Sequence, residues 1–121
     1  MEESKEINSK PARQILIATD GSNADENATD FGIEIAGVSG AKVYAVYVID
    51  ITSFDSILMD ELFIRDISEQ YERIGLEATS YIEKTAKAAG LEAESVLLKG
   101  NPAKEILNFA EKQKIDMIVI G

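Results

Sequence analysis

Apolar residues follow two alternating rhythms along this chain. Four short stretches are nearly continuous: Ile15-Leu16-Ile17-Ala18, Val43-Tyr44-Ala45-Val46-Tyr47-Val48-Ile49, Val96-Leu97-Leu98 and Met117-Ile118-Val119-Ile120. Unbroken apolar runs of this length predict strands buried on both faces. Between them, apolar residues recur every three or four positions, the period of a helix with one buried face. The pattern predicts strands at about 14–19, 42–49, 93–98 and 116–120. It predicts helices at about 23–39, over a long region ending near Ala89, and at about 102–113. The expected inward residues are Ala24, Ala28, Phe31 and Ile35 in the first helix. In the second they are Ile67, Tyr71, Ile74, Ala78, Tyr81 and Thr85, and in the third Ala103, Ile106, Leu107 and Ala110.

The punctuation agrees with these boundaries. Ser22 suits an N-cap, with Asp25 and Glu26 at the positive end of the first helix. Gly40 and Gly90 suit helix stops. Asn101 and Pro102 form a cap followed by a first helical position, where proline's missing N–H costs nothing. Gly75 interrupts the long helix and should cost about 1 kcal/mol relative to Ala. Strand and helix alternating four times predict an α/β fold: a doubly wound parallel sheet with helices on both faces. Residues 1–13 are polar, contain Pro11 and read as a flexible lead-in; residues 14–121 read as one domain. No internal repeat or low-complexity tract is present.

Composition narrows the chemistry. The 121 residues hold 22 acids and 12 bases, a formal net charge of −10, with no cysteine and no histidine. Disulfides, thiolate metal sites and cysteine nucleophiles are excluded. The commonest general base is missing, which argues against ordinary hydrolase chemistry. Duplex binding depends on Lys and Arg displacing counterions, so the acidic balance argues against a nucleic-acid partner. No apolar run suits a membrane span, and the N-terminus has no signal-like stretch. These features lead us to expect a soluble cytoplasmic protein.

In an open α/β sheet, ligands bind beyond the carboxyl ends of the strands, where strand order reverses. Those ends are Thr19-Asp20-Gly21-Ser22, Val48-Ile49-Asp50, Lys99-Gly100-Asn101-Pro102 and Ile120-Gly121. Taken alone, Asp20 suits a ribose hydroxyl, a water-bridged Mg²⁺ or the cap of the next helix. Residue type does not choose among these. Asp50 is the weaker candidate, because an acid leaving a strand is usually just solvated. Gly100 reads first as a turn residue.

The segments Ile15-Leu16-Ile17-Ala18-Thr19-Asp20-Gly21-Ser22, Val46-Tyr47-Val48-Ile49-Asp50, Gly100-Asn101-Pro102-Ala103-Lys104-Glu105-Ile106 and Ile115-Asp116-Met117-Ile118-Val119-Ile120-Gly121, in this order and spacing, resemble the universal stress protein family from about residue 14 onward. The resemblance implies strand order 3-2-1-4-5, a homodimer and an adenine-nucleotide ligand (ATP or AMP, with or without Mg²⁺) in the branch that binds one. It implies that Asp20 approaches the ribose, the Val48 backbone meets the adenine edge and Gly121 opens the phosphate loop. Ala18, Thr19, Gly100 and Ile120 complete the implied crevice. Ala18 stands where nucleotide-binding relatives often carry proline. Such relatives continue after the glycine matching Gly121 through G-x-x-G, nine residues and G-[ST], whose small residues and helix N-terminus cradle phosphates. The sequence stops before that stretch, so we expect it to lack the last helix and strand of the full family domain.

Two functions follow as expectations. One is an adenine-nucleotide-binding regulatory module of the stress response, with at most slow hydrolysis. The other is a non-nucleotide regulator acting through dimerisation or protein partners. The apolar segment 51–63, with Phe54, Ile57, Leu58, Met59, Leu62 and Phe63, suits the start of the long helix, a site cover or a partner contact. A phosphoacceptor receiver is disfavoured, since the third strand ends Leu97-Leu98-Lys99 with no aspartate. Gly21 alone does not make a G-x-G-x-x-G dinucleotide motif.

Overall fold

The computed structural model describes residues 13–22, 26–51 and 61–120. Within them the order is β1 (Gln14–Ala18), α1 (Glu26–Ser39), β2 (Lys42–Ile49), α2 (Glu61–Ala88), β3 (Ala93–Lys99), α3 (Pro102–Gln113) and β4 (Met117–Ile120). The expected strands and helices are all present, with ends moved by a residue or a few. The strands form one parallel sheet in the order β3-β2-β1-β4.

This order dictates which helix covers which face. A right-handed crossover from β1 to β2, and another from β2 to β3, run in the same direction and put α1 and α2 on one face. The crossover from β3 to β4 runs back across the sheet and puts α3 on the other. Alternate residues along each strand therefore serve two cores. Ile15, Ile17, Val43, Ala45 and Val119 pack with Ile33 and Ala36 of α1 and with Ile82 and Ala86 of α2. Leu16, Ala18, Tyr44 and Val46 pack with Ile106 and Phe109 of α3.

The helices bury stripes that match the expected ones only in part: Ala28 and Ile35 of α1 and Ile106 of α3 do pack on the cores. In α2 the sheet-facing residues are Gly75, Thr79, Ile82 and Ala86. Tyr71, Ile74 and Tyr81 are exposed along the flank. Small residues let the helix axis approach the sheet, and the Tyr47 ring occupies the space over Gly75, where a Cβ would run into it. The same logic governs α1: Thr29, Gly32, Ile33 and Ala36 are buried. A Cβ on Gly32 would lie 2.7 Å from Ile17 Cδ1, and Phe31 is turned outward, 58% exposed. Ala24 lies outside the described residues. In α3, Leu107 and Ala103 point outward, while Phe109 packs edge-on against Tyr44 with centroids 5.3 Å apart.

Two local devices hold the strands that form the crevice. Asp116 Oδ2 accepts from the Arg13 and Gln14 N–H groups at 2.8 and 2.9 Å, and Asp116 N donates to Gln14 O, which aligns the starts of β4 and β1. Asn101 Oδ1 accepts from Lys104 N at 3.0 Å and Pro102 opens α3, as the sequence predicts. Residues 52–60, including Phe54, Ile57, Leu58 and Met59, lie outside the described set. Leu62 and Phe63 sit in the first turn of α2, both exposed.

Candidate functional site

Parallel register puts Val46, Ala18 and Ile120 in one row across β2, β1 and β4. Their positions along the strands turn them all to the α3 face. Ala18 is the small member between two branched side chains, so the row dips at its centre. The dip is the floor of a cavity of about 220 Å³ lined by Ala18, Thr19, Asp20, Val46, Val48, Pro102, Ile106 and Ile120. It lies at the carboxyl ends of the strands, between β1 and β4, where strand order reverses. Its walls are mainly apolar, with Thr19 and Asp20 supplying the side-chain polar groups.

The loop after β1 is held by its own hydrogen bonds. Thr19 N continues the β1–β2 ladder to Val46 O at 3.0 Å. Gly21 N donates to Thr19 Oγ1 at 3.0 Å, and Ser22 N donates to Asp20 Oδ1 at 2.8 Å. Gly21 has φ +87°, in the left-handed region that favours glycine. A Cβ there would also lie 2.8 Å from Ile74 Cγ2 of α2. Asp20 is exposed at the rim. The bond from Ser22 is the short-range turn contact typical of aspartate, and it fixes the orientation of the carboxylate. The expected cap at Ser22 adjoins residues 23–25, outside the described set. Beneath the loop, burial raises the Tyr47 phenol above its ordinary pKa, and the nearby Tyr71 and Asp20 add to the shift.

Five of the seven residues expected at the site, Ala18, Thr19, Asp20, Val48 and Ile120, line this one cavity. Gly100 stands apart from it. It follows β3, beside β2, where its N–H donates to Ile49 O at 3.0 Å and the Glu105 side chain occupies the space an added Cβ would take. Gly121 lies outside the described residues. Val46, Pro102 and Ile106 are lining residues that the expectation omitted. Pro102 and Ile106 were legible only as parts of a helix start, and Val46 only as a core strand residue. Among the described residues, no group of three or more acidic side chains is arranged to hold a metal ion, and no helix is long and apolar enough to cross a membrane.

The class is thus a doubly wound α/β protein with an apolar crevice at its strand-order switch and a carboxylate on the rim. The universal stress protein family profile matches residues 11–121, and the chain belongs to that family. It is 38% identical over 109 residues to Universal stress protein MJ0531 of Methanocaldococcus jannaschii, covering 90% of this chain and 64% of that one. It is 29% identical over 114 residues to Universal stress protein YxiE of Bacillus subtilis, covering 89% of this chain and 77% of the relative. The chain therefore spans about two-thirds to three-quarters of the length of these curated relatives. Among solved structures, a universal stress protein in complex with cAMP superposes with a TM-score of 0.64 at 22% identity, covering 90% of this chain and 72% of that one. An Arabidopsis thaliana family member with AMP bound superposes with a TM-score of 0.66 at 16% identity, covering 90% and 76%. At these identities the superpositions establish a shared fold.

Proposed function

We propose that this chain is an adenine-nucleotide-binding regulatory module of the stress response, holding ATP or AMP in the crevice between β1 and β4. The observation that carries the reading is the registered row Val46-Ala18-Ile120, open on the α3 side, beside an Asp20 carboxylate fixed by its own turn. Apolar walls suit the faces of a purine, and a carboxylate acceptor suits a ribose hydroxyl. A cavity of about 220 Å³ takes the nucleoside part, leaving phosphates to extend toward Gly121. Thr19, Val48 and Ile120 complete the contact surface, with Gly100 acting through the turn into α3. Mg²⁺ would enter with the phosphates, since that ion is usually held by phosphates and water with few protein carboxylates. The cAMP and AMP complexes of family members with the same fold support the choice of adenine. No reaction is assigned to the site.

Equilibrium dialysis of the folded chain against labelled ATP with Mg²⁺, and against AMP, tests the reading. Saturable binding supports it, and absence of binding by the intact chain overturns it. The second reading, a homodimeric or partner-bound regulator independent of nucleotide, draws on the outward apolar side chains Phe31 and Val38 of α1 and Ile120 of β4. It gains if sedimentation finds dimers that Phe31→Glu dissociates while dialysis finds no ligand. We assign the segment ahead of β1, residues 1–13, to a lead-in tied to the domain at its last residue, where Arg13 N donates to Asp116 Oδ2; proteolytic trimming ahead of Arg13 with retained folding would verify this.

A further inference from the structure

A second cavity, of about 350 Å³, opens on the opposite face of the sheet, between α1 and α2. Its floor is apolar, from Ile74 and Ile82, and the Tyr81 ring stands at its side. Two carboxylates, Glu26 and Glu77, line it, with no basic residue among its described walls. Thr29 provides an independent sign that the cavity is built for a polar guest. This side chain is 1% exposed, and its hydroxyl has no hydrogen-bond partner among the described residues. Thr79, the other buried threonine, instead donates to Gly75 O at 2.8 Å. No side-chain oxygen or nitrogen sealed from solvent lacks a partner among the described residues, so the Thr29 hydroxyl opens onto the cavity it lines. A hydroxyl on a buried side chain that faces a cavity without a protein partner marks a place for a ligand group or ordered water.

The sign of the guest's charge follows from the donors nearby. Gly21 N and Ser22 N are already used within the loop, on Thr19 and Asp20. The side chains at the α1 and α2 walls are two carboxylates and a hydroxyl around an apolar floor. The geometry points to a second small-molecule site, for an organic amine whose ammonium meets Glu26 and Glu77 and whose apolar body covers Ile74, Ile82 and the Tyr81 ring. The site is separate from the nucleotide crevice and does not depend on that reading, although Thr19 belongs to the walls of both cavities.

Tyramine is a suitable probe, and 4-hydroxyphenylacetate, with a carboxylate in place of the aminomethyl group, is the control. In amide-resolved NMR of the full chain, tyramine should shift Thr29, Ala78 and Ile82 saturably, with a Kd of roughly 1 mM or below. The amides of Val48 and Ile106, in the other crevice, should stay in place. The carboxylate analogue should shift none of them. Glu77→Gln, a surface change that leaves folding intact, should weaken tyramine at least about threefold, and Thr29→Val, which keeps the side-chain shape, should weaken it similarly. Shifts confined to Val48 and Ile106, equal binding of the two probes, no binding at all, or full affinity in both variants would each overturn the assignment.

Discussion

At the scale of single residues, Asp20 and Gly75 show how position converts an ambiguous residue type into a definite one. The carboxylate of Asp20 is oriented by Ser22 N at the rim of an apolar crevice. Replacing a charged hydrogen-bond partner costs about 1.5–3 kcal/mol. Asp20→Ala is therefore expected to weaken ATP binding about tenfold or more in calorimetry, with the fold unchanged by circular dichroism. Helix propensity alone says that Gly75→Ala should stabilise α2 by about 1 kcal/mol. The Tyr47 ring and a Leu97 methyl, only 2.9 Å from where the added Cβ would stand, say the reverse, because overpacking costs about 1–3 kcal/mol. We expect a net loss of about 1–2 kcal/mol, read from the urea midpoint. The interruption at Gly75 was visible in the sequence. Its reason was not, because Tyr47 and Leu97 reach it from strands 28 and 22 positions away.

At the scale of elements, boundaries were legible and buried faces only in part. Asn101 and Pro102 announce α3 by chemistry confined to four residues, and the structure places the cap there. Asn101→Ala should cost about 1 kcal/mol in chemical denaturation. The three- and four-residue spacing found each helix, yet it selected Tyr71, Ile74 and Tyr81 over the adjoining stripe Gly75, Thr79, Ile82 and Ala86. Periodicity weighs side chains by hydrophobicity, whereas close packing on a sheet rewards small ones. Helix α2 is also tied to β3 through Glu83, which accepts from Lys87 Nζ at 2.7 Å and from Ser95 Oγ at 2.6 Å. Lys87 first and Ser95 second hold its carboxyl below the ordinary 4.5. A depressed carboxyl pKa stabilises the fold above the unfolded-state value, and that contribution is lost as pH falls through the folded-state value. The difference in denaturation midpoint between the native chain and Glu83→Gln should thus be present at neutral pH and disappear below pH 4.5.

At the scale of the whole molecule, the −10 charge sets a field that every anionic ligand must cross. Raising salt from about 0.01 M to 0.15 M shortens the screening length from roughly 30 to 8 Å. ATP affinity should accordingly hold steady or rise over that range, while adenosine affinity stays flat. Dialysis at the two ionic strengths checks this, and a steep fall for ATP would indicate a basic phosphate site.

The sequence by itself determined the alternation of strands and helices, the α3 cap, the family and most of the crevice, because each rests on short-range chemistry or on residues at strand ends. Crossover handedness, a general rule, then set which helix lies on which face. Only the tertiary structure decided the rest. It joined Val46, Ala18 and Ile120 into one registered row, left Gly100 at the end of β3 outside the crevice lining, and turned Phe31 outward so that Gly32 could meet Ile17. It also left the Thr29 hydroxyl open to a cavity beside two carboxylates. These depend on contacts between residues far apart in the chain, which no local pattern encodes.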